Sequence, residues 1–74
     1  MRVILYEGCK LFTFNRVTFE FGTIEPEKVG VRMIDGFADY FLLSGNENLI
    51  IVQALNVKKA AGKMLTILME QKVT

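Results

Sequence analysis

Residues 56–74, NVKKAAGKMLTILMEQKVT, decide how the rest of this chain must be arranged. Val57, Ala60, Ala61, Met64, Leu65, Ile67 and Leu68 recur at spacings of three and four, the period that gathers apolar side chains on one side of a helix. Asn56 stands just before this stripe, where its side-chain oxygen can accept from a first-turn amide that has no partner inside the helix. The spacing predicts a C-terminal helix over residues 57–72. Met69 and Val73 widen the stripe, and between Met64 and Met69 only Thr66 is polar. A helix apolar over so much of its circumference needs cover, and a chain of 74 residues has little core to offer. Its own sheet, a partner subunit, or both must supply that cover.

Upstream, residues 1–55 are built from period-two segments broken by turn signals, the pattern of antiparallel strands. Val3 to Tyr6 runs into Gly8-Cys9, a pair suited to a type II′ turn, which sets Leu5 opposite Phe12 and Val3 opposite Phe14. From Phe12 to Phe21 the apolar positions are even before Asn15 and odd after it. The change of phase is read as a tight hairpin at Asn15-Arg16 in preference to a bulged strand. Residues 22–28 hold the one proline, Pro26, and read as a surface loop. Val29 to Ile34 and Phe37 to Leu43 flank Asp35-Gly36, a strong type I′ signal, and the implied register puts Arg32 opposite Asp39, Val31 opposite Tyr40 and Ile34 opposite Phe37. A short helix over residues 36–43 is the rival reading. Leu49 to Leu55 is a nearly continuous apolar strand, as expected for one covered on both faces.

The fold class that follows is α+β: an antiparallel β-meander of five or six short strands, curled or forming a partial barrel, over residues 1–55, and one C-terminal helix. The whole is expected to be one small domain, residues 1–74. On the first hairpins Val3, Leu5, Phe12, Phe14, Val17, Phe19 and Phe21 are expected to face the core, with Thr13, Thr18 and Glu20 outward. The outward face would also carry Ile4, Tyr6 and Leu11, an apolar patch.

Composition narrows the function. Half the residues are apolar (51%), 23% are charged, and the net charge is +1, which speaks for a globular chain without broad electrostatic adhesion to nucleic acid or anionic membranes. There is no run of roughly 20 apolar residues of the kind that spans a bilayer, and the apolar run after Arg2 stops at Glu7, short of the form of a signal peptide. With a single cysteine, these features make a cytoplasmic location the expectation. The absence of histidine removes every Ser-His, Cys-His and His-metal arrangement. Cys9 is read as a turn residue beside Lys10, Asp35 is accounted for by its turn and Asp39 by Arg32. Asn46-Glu47-Asn48 lacks the ligand count and spacing of a calcium loop. No enzyme, cofactor or metal is expected.

Two binding readings remain. In the first, the protein is a non-enzymatic interaction module that self-associates, most simply as a dimer, or takes a protein partner through Ile4, Tyr6 and Leu11 and through Met64, Leu65, Leu68 and Met69 of the helix. In the second, Lys58, Lys59 and Lys63 grip an anion or a nucleic acid. Lysines there oppose the helix macrodipole at a cost of a few tenths of a kcal/mol each, up to ~1, so their placement invites a use. Lys10 to Arg16, with Phe12 and Phe14 between, is the one segment where basic and aromatic residues interleave as in single-strand binding.

Overall fold

The computed structural model describes residues 2–72, with side chains described as far as Glu70; Val73 lies outside the described residues. In chain order the elements are β1 (Lys10–Asn15), β2 (Phe21–Thr23), a 3-10 turn (Pro26–Lys28), β3 (Val29–Ile34), β4 (Phe37–Leu42), β5 (Leu49–Ala54) and α1 (Val57–Lys72). The architecture is α+β, five antiparallel strands in two sheets followed by one helix. One sheet has the order β2–β1–β5, and β3 and β4 form the second. Two hairpins follow one another as in a meander, but β5 returns to pair with β1 along its whole length. The single curled sheet expected from sequence is therefore divided in two, and no barrel closes.

The reason lies in β5. Its side chains alternate between two apolar layers, as a strand's must. Ile50, Val52 and Ala54 pack with Phe12 against Ala60 and Met64 of α1. Ile51 points the other way and joins Leu11, Val29 and Val3, with Val31, Tyr40 and Leu42 around them. The helix thus covers one face of the three-stranded sheet and the β3–β4 hairpin the other. At roughly 1.5–3 kcal/mol for each fully buried aliphatic side chain, no other segment gains as much from the central position.

The β3–β4 hairpin has the register read from sequence, with Arg32 opposite Asp39, Val31 opposite Tyr40 and Ile34 opposite Phe37. Asp35 (φ +50°) and Gly36 (φ +83°) both adopt the left-handed conformation that a type I′ turn requires, so residues 37–42 are strand and the helical reading is excluded. Arg32 Nε donates to Asp39 Oδ2 at 3.0 Å in a solvent-exposed pair, which fixes register more than it adds stability. The Arg32 guanidinium also lies 4.9 Å from the centre of the Phe41 ring. At α1, the Lys59 amide donates to Asn56 Oδ1 at 2.9 Å, the N-cap anticipated from sequence.

The N-terminal hairpin differs from expectation. Val3 to Tyr6 forms no ladder with β1, and its neighbourhood holds only an isolated bridge between Arg2 and Gly30. Gly8 (φ +78°) occupies the third position of a turn closed by Cys9 N–H donating to Tyr6 C=O at 2.9 Å, not the second position that II′ demands. Both edges of β1 are already taken, by β2 and β5. The two-residue turn at Asn15-Arg16 is likewise replaced by a longer loop. Asn15 Oδ1 accepts from the amides of Val17 (2.8 Å) and Thr18 (3.0 Å), Asn15 N–H donates to Glu20 C=O at 2.9 Å, and the ladder starts where Phe14 meets Phe21. Residues 22–28, read as loop, contribute the end of β2 and the 3-10 turn.

These changes redistribute the core. Leu11 and Thr13, placed on the outer face by the hairpin reading, are buried because the β3–β4 layer covers that face. Leu5, Val17, Phe19 and Phe21, expected inside, are exposed to differing degrees.

Gly30 shows how tightly the hairpin packs, since a Cβ there would lie 2.4 Å from the Phe41 ring. Gly30→Ala should displace that ring and cost ~1–3 kcal/mol in urea unfolding. Gly62, in α1, has open space around its Cβ position. Gly62→Ala should stabilise by ~1 kcal/mol in the same assay.

Candidate interaction surfaces

Gln53 is the one polar side chain on the inner face of β5 and is 4% exposed. Its Oε1 accepts from the Tyr6 amide, and its Nε2 donates to Ile4 C=O and to the Tyr40 hydroxyl, both at 3.2 Å. One amide thereby ties the N-terminal segment and β4 to the central sheet. Burying it is tolerable because every polar atom it carries is used. The tie also holds Ile4 and Tyr6 in place, with Ile4 82% and Tyr6 74% exposed. The backbone of the segment is held while Ile4 and Tyr6 project outward and Val3 joins the core.

The expected apolar patch is therefore split. Ile4 and Tyr6 are on the surface, whereas Leu11 is in the core at 2% exposure. On the helix, Met64 is buried against the sheet, Leu68 is half-buried, and Leu65 and Met69 are exposed, at 58% and 59%. The helix flank bearing Lys63, Thr66, Ile67 and Glu70 looks toward β4. Helical geometry then turns Leu65 and Leu68 toward β1 and β2. There the apolar layer continues, because Phe21 packs on Phe12 with ring centres 5.8 Å apart and Phe19 on Phe14 at 6.1 Å. Phe19 and Phe21 remain exposed beyond the helix. Sequence reading missed these two because it placed them in the core; the change of phase at Asn15 was the signal.

A second feature lies on the opposite flank. Beside β5, which shares no ladder with β4, a cleft of about 880 Å³ runs between Tyr6, Phe37 and Tyr40 on one side and Thr66 and Ile67 of α1 on the other.

The lysines of the helix start differ in their surroundings. Lys63 Nζ donates to the Gln53 carbonyl at 2.6 Å, and the Lys59 amide is occupied by Asn56, leaving Lys58 and Lys59 as exposed side chains. Of the interleaved aromatics, Phe12 is buried and Phe14 half-buried beneath α1, so neither ring offers a free stacking face. Cys9 is half-buried and unpaired. Asn46 Oδ1 is spent on the Asn48 amide at 3.0 Å, closing its own turn. Among the described residues no three His, Cys, Asp or Glu side chains gather to hold a metal ion, and no helix is long and apolar enough to cross a membrane. Compared with known proteins, the chain matches no family model, no curated protein and no solved structure.

Gln53→Leu should cost about 1–3 kcal/mol for each buried group left without a partner. In native-state hydrogen exchange the Tyr6 amide should lose its protection while amides in the β1–β5 ladder keep theirs. Equal loss in both would mean that Gln53 does not act as a local tie.

Proposed function

We propose that this protein is a small, non-enzymatic interaction module that self-associates through the apolar surface formed by Leu65, Leu68 and Met69 of α1 and by Phe19 and Phe21 beside it. The observation that carries this reading is the continuity of that surface with the core. Phe12 and Phe14 are covered by the helix, and the same aromatic layer runs on through Phe21, 42% exposed, to Phe19, 73% exposed. Large apolar side chains joined in one exposed patch are the usual mark of an interface. A second copy suits it because the patch is apolar throughout and so can pair with its own copy. Two such surfaces related by a two-fold axis can bury the exposed side chains of each protomer against those of the other. The net charge of +1 opposes such pairing little.

Sedimentation equilibrium over a wide concentration range tests this. The wild-type chain should show twice the monomer mass, with little dependence on salt. Leu65→Glu combined with Met69→Glu should return it to monomer while the far-ultraviolet circular dichroism is kept. Lys59→Glu, seven residues before Thr66 and so on the other flank of α1, should leave the mass unchanged. A folded double variant with wild-type mass would remove α1 from the interface.

A further inference from the structure

We propose that two copies of this chain pair along the free edge of β2, antiparallel and with Gly22 opposite Gly22, so that their three-stranded sheets join edge to edge. The proposal rests on the self-association reading above and gives that contact its register.

The main chain of β2 presents the edge. Asn15 N–H donates to Glu20 C=O at 2.9 Å and Ile24 N–H to Leu11 C=O at 3.2 Å, and between these bonds Phe14 faces Phe21, Thr13 faces Gly22 and Phe12 faces Thr23. Hydrogen-bonded pairs alternate along an antiparallel ladder, so Gly22 bonds to Thr13 while the N–H and C=O groups of Phe21 and Thr23 point away from β1. β2 is the last strand of its sheet, and no backbone hydrogen bond from another described segment reaches those groups. The opposite margin of the sheet differs, because β5 lies against β4, whereas β2 packs closely on β1 alone among the described strands and helices. Phe21 and Thr23 are both exposed.

One register lets this edge satisfy itself. With Gly22 on a two-fold axis, Thr23 N–H donates to the partner's Phe21 C=O and Phe21 N–H to the partner's Thr23 C=O, and symmetry repeats both bonds. Every outward group of β2 is then used. A shift by one residue would set them against groups of the partner that point to its own β1. The side chains agree with this register. Phe21 and Thr23 stand on the α1 face, since the residues they pair with, Phe14 and Phe12, pack beneath the helix. Across the axis Phe21 meets the partner's Thr23 directly and the partner's Phe21 diagonally, within reach of an aromatic ring. Glu20 falls opposite the partner's Ile24 and Glu25 opposite the partner's Phe19, so no like charges oppose one another. The exposed patches of both copies come to one face of the joined sheet. A strand of three residues makes few main-chain bonds, and their part is to fix the register of a contact that the apolar patch drives.

The test uses the full chain. In a Cys9→Ser background, Gly22→Cys places a thiol on the axis, where a non-hydrogen-bonded antiparallel pair brings the Cα atoms to about 4.5 Å, inside the range that a disulfide spans. A Cβ at that position would lie 3.4 Å from Thr13 Oγ1, an ordinary contact. Mild oxidation should give a covalent dimer roughly tenfold faster, or more, than Lys59→Cys in the same background. In the unmodified chain the Phe21 and Thr23 amides should gain hydrogen-exchange protection in step with the rise in mass by sedimentation equilibrium, and the Gly22 amide, already bonded to Thr13, should gain less. Thr23→Pro removes an outward N–H without touching the ladder to β1 and should weaken self-association roughly tenfold or more. A dimer whose Phe21 and Thr23 amides exchange equally fast at all concentrations, or whose Gly22→Cys form cross-links no faster than Lys59→Cys, overturns the proposal and leaves self-association standing. A wild-type chain that is monomeric at every concentration overturns both.

Discussion

Strand β5 has no solvent face, and the rest of the molecule is arranged around that constraint. Its even-numbered side chains need one apolar layer and its odd-numbered side chains another, so a helix alone cannot bury it. The chain meets both needs by placing α1 on one side and the β3–β4 hairpin on the other, with β1 as the pairing partner. Once β5 and β2 have taken the two edges of β1, the N-terminal segment has no edge left there. It is fastened instead by hydrogen bonds to the buried amide of Gln53. The position of Ile4 and Tyr6 on the surface is a consequence of the packing of a strand some fifty residues later.

Covering β5 on both sides leaves the margins incomplete. Helix α1 sits over β5 and, less closely, β1, so the aromatic layer beneath it emerges at β2. The β3–β4 hairpin is packed over the inner core without joining the ladder of β5, and a cleft is left between β4 and α1. A chain of this size has a high ratio of surface to volume, and some apolar surface must remain outside. Part of it lies at those two margins, with Phe19 and Phe21 at the first and Tyr6 and Phe37 at the second.

Local signals carried much of the architecture. Asp35-Gly36 permits a two-residue turn with both residues at positive φ, and that turn fixes every pair of the β3–β4 ladder. Asn56 followed by a 3.6-period stripe fixes the start of α1. The same reasoning failed at the N-terminus, where Gly8 suits more than one turn type and Val3 to Tyr6 could pair with whatever edge was free. It failed again at Asn15, whose side chain captures two backbone amides and lengthens the loop. Of the candidate site residues, Leu65 and Met69 lie on the surface and Leu11 and Met64 in the core. A helix stripe read from sequence does not say which of its residues meet the sheet and which flank it.

By itself, the sequence determined the α+β class, the C-terminal helix with its cap, the β3–β4 hairpin and its register, and the burial of β5. All of these depend on residues within one turn or one hairpin of each other, or on the composition of a single strand. Tertiary structure alone decided that β1 pairs with β5, that Leu11 and Thr13 are covered while Phe19 and Phe21 are not, and that Gln53 anchors the N-terminal segment. The physical reason is competition. Several segments could have taken the edge of β1, and the outcome depended on which of them buried the most apolar surface once all the layers were in place, a comparison that no local pattern contains.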